Sequence, residues 1–200
     1  SETAKIADRH LFIRPAGDAF LLVALLKRLL DVAKLPDYVD GLDSVRAALA
    51  PFDEQDCADR AKVSLTDIAM LAQRMQSGPA VLYGRMGTAT QSYGTLNAWL
   101  IALINIVAGQ LDTEGGLMFP TPAVDTVEAL GKGSIGRFTS RVSGHPEVLG
   151  EFPAAALSEE IETPGEGQIR ALFLVAGNPV LSTPNGTRLD KALATLDLMV

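Results

Sequence analysis

The sequence has little cysteine and histidine, and it lacks the common catalytic motifs. Cys57 is the only cysteine among 200 residues, which excludes an intrachain disulfide, a Cys-x-x-Cys redox pair and a metal cluster held by this chain's thiolates alone. The two histidines, His10 and His145, lack the spacing of a zinc site. No serine lies in a Gly-x-Ser-x-Gly turn. We therefore expect no catalytic residue and no metal ligand that this chain supplies by itself.

Positive charge is also scarce. The chain has 17 basic and 24 acidic residues, a net charge of -7 and an isoelectric point near 4.8. Nucleic acid and anionic membranes do not attract such a surface, so we expect neither as a partner. The single cysteine fits a reducing compartment and predicts a cytoplasmic location. The apolar runs 19–30 and 96–108 are too short and too interrupted for a membrane span.

Hydrophobic residues make up 48% of the chain, enough for a globular core. Their spacing predicts strands that alternate with helices, which favours an α/β fold: three layers, with a Rossmann-like, mostly parallel sheet covered by helices on both faces. We expect one domain over residues 1–200, with a long irregular insertion at about 110–167. The predicted strands are 10–14, 80–84, 169–175 and 196–200, and the main predicted helices are 18–34, 42–49, 64–75, 95–108 and 188–196.

Three predicted strands end in glycine-bearing loops, at residues 13–18, 82–87 and 176–183. In open α/β sheets ligands bind beyond the carboxyl ends of the strands, so these loops are the candidate binding site. Asp18 either caps the following helix or accepts hydrogen bonds from the N–H edge of a base such as guanine. Asn178 is either a turn residue before proline or a ligand contact. The residues alone leave both alternatives open.

Two other motifs are weaker indications of function. Residues 131–136 spell Gly-x-Gly-x-x-Gly, but they lack the preceding strand and the following helix that a dinucleotide-binding turn requires. We interpret them as an ordinary loop and rank an NAD-dependent dehydrogenase last among the functions considered. Cys57 stands among carboxylates that disfavour its thiolate, so it is a poor nucleophile candidate.

Several segments in a fixed order resemble the molybdopterin oxidoreductases, the family of formate dehydrogenases, periplasmic-type nitrate reductases and dimethyl sulfoxide reductases. The resemblance covers nearly the whole chain. The segments that carry it are residues 2–8, 11–15, 84–87, 94–96, 109–116, 140–147 and 176–179. It implies a bis-molybdopterin guanine dinucleotide cofactor, with molybdenum or tungsten, in the full-length protein.

The resemblance also implies a set of cofactor contacts. The family usually has Pro-Gly-Thr-Asp before its first helix, where the turn contacts a guanine dinucleotide. This chain has Pro-Ala-Gly-Asp at residues 15–18, which keeps the aspartate and moves the glycine by one position. The implied cofactor-binding residues are Ala16, Gly17, Asp18, Met86, Gly87, Thr90, Gln91 and Asn178.

Several features of the family have no counterpart in this sequence. The iron-sulfur cysteines, the residue that ligates the metal and the C-terminal barrel have no counterpart here. We therefore expect a fragment of a larger subunit, inactive alone and without a bound cofactor, whose partners are the remaining domains and a small-molecule substrate. The parent chain is expected to hold an iron-sulfur cluster elsewhere. Apolar surface exposed on such a fragment predicts self-association. The alternative is a non-catalytic α/β scaffold or interaction module without a cofactor.

Overall fold

The structure is a computed structural model that describes residues 2–32, 39–125 and 135–200. The chain divides into two compact units, Ser1–Pro120 and Thr121–Val200. In the described parts of the chain, no helix has the length and apolar character needed to cross a bilayer. Each unit has a hydrophobic core of its own. The prediction of a single domain over residues 1–200 stays a prediction.

The described part of the first unit is helical, and its helices pack around α2. Eight of the 13 residues of α2 are buried, as its apolar side chains on nearly every face predict. Helices α7, α4, α5 and α3 pack against it. The helices are α1 (Glu2–Ile6), α2 (Asp18–Leu30), α3 (Leu42–Leu49), α4 (Glu54–Ala61), α5 (Leu65–Gln76), α6 (Met86–Ala89) and α7 (Gly94–Val107).

Local side-chain caps determine where two of these helices begin. The Ser-Leu-Thr-Asp spacing at residues 64–67 predicts a helix N-cap, and the Ser64 side chain indeed accepts a hydrogen bond from the backbone N–H of Asp67 at the start of α5. Asp53 caps α4 in the same way, through the N–H of Asp56 at 2.9 Å. These starts were predictable because such caps act over three residues of sequence.

Two segments of this unit that the sequence predicts as strands are not strands in the structure. Residues 10–14 and 80–84 lack the ladder of a strand, and neither segment pairs with another strand among the described residues. The backbone N–H of Arg14 instead donates to the carbonyl of Ala61 at 2.9 Å. The backbone of Leu82 is held by the side chain of Asn105. Buried backbone groups need partners, and here helices provide them.

The second unit contains the strands. In its described part, β1 (Ile135–Thr139) pairs antiparallel with β2 (Pro146–Val148), followed by a 3₁₀ turn (Ala154–Ala156) and α8 (Leu157–Glu162). Next come β3 (Ala171–Leu172), α9 (Pro179–Ser182), α10 (Gly186–Leu193) and β4 (Leu198–Met199). Strands β3 and β4 are parallel, with Ala171 opposite Leu198. The predicted strand-helix-strand succession near the C-terminus is therefore confirmed.

The fold class is α/β, as predicted, but the described residues contain only two separate two-stranded sheets. They do not show the three-layer, Rossmann-like sheet. The stretch 110–167, predicted as an irregular insertion, includes β1, β2 and α8. The first four residues of the glycine motif at 131–136 lie outside the described residues.

Candidate functional site

Two of the three predicted loops meet at one open cavity in the first unit. The cavity has a volume of about 570 Å³, within the range of small-molecule sites. The turn before α2 and the loop that contains α6 line it, although they are about 70 residues apart in the sequence. The lining residues are Ile13, Arg14, Pro15, Ala16, Asp18, Tyr83, Gly84, Arg85, Gly87, Thr88 and Gln91. Four of the eight predicted contacts, Ala16, Asp18, Gly87 and Gln91, are among them.

Asp18 and Gln91 form the polar contact between the two loops. The Gln91 Nε2 group donates to Asp18 Oδ2 at 2.9 Å and to the carbonyl oxygen of Gly87 at 2.7 Å. The Gln91 Oε1 atom is buried and has no hydrogen-bond partner among the described residues. Leaving such an oxygen without a donor costs free energy. The cavity wall therefore contains one carboxylate, that of Asp18, next to a carboxamide whose oxygen is buried.

The tight turn before α2 determines where Asp18 lies. The Gly17 N–H donates to the Arg14 carbonyl oxygen at 2.8 Å, and Ala16 has a left-handed backbone with φ of 62°. Gly17, not Asp18, is the N-cap residue of α2, which excludes capping, one of the two alternatives that the sequence left open for Asp18. Because Asp18 is the first helical residue, its carboxylate is free of the capping role that was the alternative to ligand contact.

Gly17 is a predicted contact that the structure explains differently. The residue is buried and does not line the cavity. A Cβ atom at this position would lie 2.8 Å from the Arg14 carbonyl oxygen and 3.1 Å from the Cα of Ala61. The glycine therefore allows the turn to pack on α4, whereas at Gly87 a Cβ would have open space.

Hydrogen bonds within the second loop hold its backbone in place. The Thr90 hydroxyl donates to the carbonyl oxygen of Met86, and the buried Asn97 side chain donates to the Thr88 carbonyl at 2.8 Å. Neither Met86 nor Thr90 lines the cavity, and the Met86 side chain is 70% exposed. These two predicted contacts therefore lie next to the cavity wall rather than on it.

The cavity wall includes three residues that are not among the eight predicted contacts. Arg14 and Arg85 line it with exposed side chains, and Tyr83 lines it with 72% of its surface exposed. Within the described residues neither arginine pairs with a carboxylate. All three lie within three residues of a predicted contact, so the sequence signal was present, but sequence position does not reveal a shared wall.

The third predicted loop is in the second unit. Asn178 borders an open cavity of about 550 Å³, together with Gly177, Asp190 and Met199. Its side chain accepts a hydrogen bond from the Leu181 N–H at 3.4 Å and so caps α9. Asn178 therefore has a local role at the start of α9, and it also lies at the edge of a cavity.

The remaining candidates from the sequence are a metal site and a nucleophilic cysteine. Among residues 2–32, 39–125 and 135–200, no group of three or more histidine, cysteine or acidic residues could hold a metal ion. Cys57 is buried, and burial, followed by the nearby charge of Asp56, raises the pKa of its thiol. A raised pKa makes the thiolate scarcer at neutral pH, as predicted for a poor nucleophile.

Comparisons with known proteins identify the relatives. The assimilatory nitrate reductase catalytic subunit of Bacillus subtilis (strain 168) is 26% identical over 99% of this chain and 31% of its own length. The NADPH-Fe(3+) oxidoreductase subunit alpha of Geobacter sulfurreducens is 28% identical over 98% of this chain and 25% of its own length. The assimilatory nitrate reductase of Haloferax mediterranei is 26% identical over the whole chain and 30% of its own length. No protein-family model matches.

All three relatives are oxidoreductases by name. Along its whole length the chain is homologous to nitrate reductase catalytic subunits and other oxidoreductases, which confirms the predicted resemblance to the molybdopterin oxidoreductases. The chain spans about a quarter to a third of the length of these relatives.

Proposed function

We propose that this chain forms part of the binding site for a molybdopterin guanine dinucleotide in a larger molybdenum- or tungsten-dependent oxidoreductase. The metal would supply the redox chemistry when the cofactor is bound. The chain itself would bind and orient one guanine-bearing arm. The observation that carries the proposal is the cavity at which Asp18 and Gln91 meet, because sequence-distant loops of the predicted site line it together.

The donor and acceptor chemistry of this cavity fits guanine. The Watson–Crick edge of guanine presents N–H donors, and a carboxylate accepts such donors well. Gln91 Oε1 is a second acceptor beside this carboxylate; it is buried and has no hydrogen-bond partner in the described parts of the chain. A guanine that donates to Asp18 would reach Gln91 Oε1 only after the Gln91 side chain turned toward the cavity, and it would then satisfy this oxygen. Adenine presents a different edge with an acceptor at the ring position, so it would leave the carboxylate poorly paired.

The other predicted contacts have smaller roles in this proposal. Ala16 and Gly87 would border the ligand through backbone atoms, because both line the cavity. Gly17, Met86 and Thr90 would act through the conformation of the two loops. Asn178 stays a predicted cofactor contact, and within the second unit it borders a cavity of its own. The iron-sulfur cluster, the substrate and the cytoplasmic location of the parent enzyme stay predictions.

The competing function is a scaffold that keeps the fold without binding a cofactor. It predicts that the cavity has no preference among nucleotides. The buried Gln91 oxygen, for which the described residues provide no partner, favours the cofactor proposal, because a scaffold that gains nothing from this oxygen would be more stable without it.

The test is isothermal titration of the purified 200-residue chain with GDP and with ADP. We expect GDP to bind more tightly than ADP. Asp18→Asn should weaken GDP binding by about 5- to 150-fold, because one good bidentate base contact contributes about 1–3 kcal/mol of discrimination. Gln91→Leu should also weaken GDP binding.

The matched control is Asp43→Asn, because Asp43 is an exposed carboxylate on α3 that does not line the cavity. It should leave the affinity for GDP unchanged. Equal affinities for GDP and ADP, or an Asp18→Asn variant that binds GDP like the parent chain, would favour the scaffold.

A further inference from the structure

Two arginines at the cavity differ from most other arginines in the described residues. Seven of those arginines pair with carboxylates: Arg9, Arg28, Arg60, Arg137, Arg141, Arg170 and Arg188. Arg46 donates to a backbone carbonyl. Arg14 and Arg85 have neither kind of partner in the described structure, although the chain carries a net charge of -7. Two unpaired cations thus line the same cavity in an acidic protein.

The two arginines come from the two different loops. Arg14 precedes the turn before α2, and Arg85 is the residue before α6. Hydrogen bonds hold the backbone at both positions: the Arg14 N–H donates to the Ala61 carbonyl at 2.9 Å, and the Arg85 carbonyl accepts from the Thr88 N–H at 3.0 Å and from the Thr88 hydroxyl at 2.7 Å. The cavity wall thus carries an acidic residue, Asp18, and two cationic residues.

We propose that Arg14 and Arg85 form a clamp for the diphosphate of a nucleoside diphosphate group whose base contacts Asp18 and Gln91. This inference rests on the proposed guanine site and adds the part of the ligand that the arginines recognise. Guanidinium groups suit phosphate oxygens because they offer several N–H donors in a planar fork. Two of them from separate loops match the two phosphates of a diphosphate.

The start of α2 does not explain anion binding here. An uncapped helix N-terminus attracts anions, but Asp18 stands at the first helical position and carries its own negative charge there. A phosphate near this helix end would be repelled by the carboxylate. The attraction must therefore come from Arg14 and Arg85, and their removal should abolish the preference for phosphorylated ligands.

The test is titration of the 200-residue chain with guanosine, GMP, GDP and inorganic pyrophosphate, at low and at moderate salt. The variants are Arg14→Gln and Arg85→Gln. The control is Arg74→Gln, because Arg74 is exposed on α5, away from the cavity. A thermal melt of each variant verifies that it folds.

We expect affinity to rise from guanosine to GMP to GDP, and the preference for GDP to shrink as salt rises. Each cavity variant should lower the affinity for GDP at least about tenfold, because hydrogen bonds to charged groups are strong. The affinity for guanosine should not change. Arg74→Gln should behave like the parent chain.

Failure of the clamp and failure of the guanine site give different results. Equal binding of guanosine and GDP, unaffected by either variant, would overturn the clamp and keep the guanine site. Binding of pyrophosphate that both arginine variants weaken, without any preference for guanine over adenine nucleotides, would keep the clamp and overturn the guanine site. No binding of any of the four probes would count against both.

Discussion

The side chain of Asn105 holds the backbone of Leu82 at two points. Asn105 Oδ1 accepts a hydrogen bond from the Leu82 N–H at 2.9 Å, and Asn105 Nδ2 donates to the Leu82 carbonyl at 2.8 Å. Asn105 is completely buried on α7. A carboxamide thus pairs with one residue of extended chain as a neighbouring strand would, and it does so just before the loop that lines the cavity.

Asn105→Leu should lower the free energy of unfolding. Leucine has a similar volume but leaves the N–H and the carbonyl of Leu82 without partners, at a cost of about 1–3 kcal/mol for each buried group. Urea unfolding followed by circular dichroism measures the change. Gln73→Leu is the control, since Gln73 is an exposed amide on α5, and it should stay within about 0.5 kcal/mol of the parent chain. Equal stability of Asn105→Leu and the control would contradict a structural role for the pair.

Gly17→Ala and Gly87→Ala should separate a packing glycine from a ligand-facing one. A methyl group at Gly17 would lie 2.8 Å from a backbone oxygen, so Gly17→Ala should destabilise the chain by about 1–3 kcal/mol. Gly87→Ala should leave stability unchanged or slightly higher, because its Cβ has open space and alanine favours the helix.

Titration of the two glycine variants with GDP completes this prediction. Gly87→Ala should weaken GDP binding if the ligand approaches the backbone of Gly87 as proposed. A Gly87→Ala variant that binds GDP like the parent chain would remove Gly87 from the set of contacts. A Gly17→Ala variant as stable as the parent would show that the turn can shift.

Lys27 and Arg46 connect the ends of α2 and α3 reciprocally. Lys27 on α2 donates to the carbonyl of Leu49, the last residue of α3, at 3.2 Å, and Arg46 on α3 donates to the carbonyl of Leu30, the last residue of α2, at 2.9 Å. Cations at helix C-termini satisfy carbonyls that have no partner within the helix. Lys27→Met and Arg46→Met should each lower the free energy of unfolding by about 0.5–1.5 kcal/mol.

A double-mutant cycle measures whether the two contacts act together. Arg74→Met is the control, because Arg74 lies in the last turn of α5 with an exposed side chain. It should cost only a few tenths of a kcal/mol through the helix dipole. Losses at Lys27 and Arg46 no larger than this control would contradict the reciprocal caps.

Cys57 should make stability depend on pH in alkaline solution. Burial raises the pKa of its thiol above the ordinary value of 9.0, so at high pH the folded chain keeps a proton that the unfolded chain has lost. The free energy of unfolding should therefore fall as the pH rises above about 9. Urea unfolding at pH 8 and at pH 10 measures this fall.

Cys57→Ala should unfold with a smaller loss of stability between these two pH values than the parent chain. Comparing the two chains separates the thiol from lysine and tyrosine, which titrate in the same range. Alkylation by iodoacetamide at pH 8 should also be slow in the folded chain and fast in urea, because the thiol is buried. An equal pH dependence in both chains would contradict the raised pKa.

Local sequence patterns predicted most of the helices. Helix α3 has its predicted bounds, and α7 (Gly94–Val107) lies within one residue of the prediction of 95–108. Ser64 and Asp67 predicted the start of α5 because a cap, its partner and the first turn lie within four residues. The parallel pairing of β3 and β4 was predictable for a related reason, since a helical crossover connection joins the two strands.

The same patterns did not reveal whether an extended segment joins a sheet. Residues 80–84 have the composition of a strand, yet the partner of Leu82 is a helix side chain 23 residues later. A backbone N–H is satisfied equally well by a strand or by an amide group, and only the packed structure selects between them. For the same reason the sequence did not distinguish Asp18 as a cap from Asp18 as a cavity residue.

The sequence by itself determined the helix-forming segments and the family resemblance, because these depend on composition and on short-range spacing. Only the tertiary structure decided which predicted contacts share a wall. Asp18 and Gln91 are 73 residues apart and meet because α2 and α7 pack together. Gly17 proved to be a packing residue because α4 lies against its turn. Contacts of this kind depend on the packing of whole helices, which no local pattern specifies.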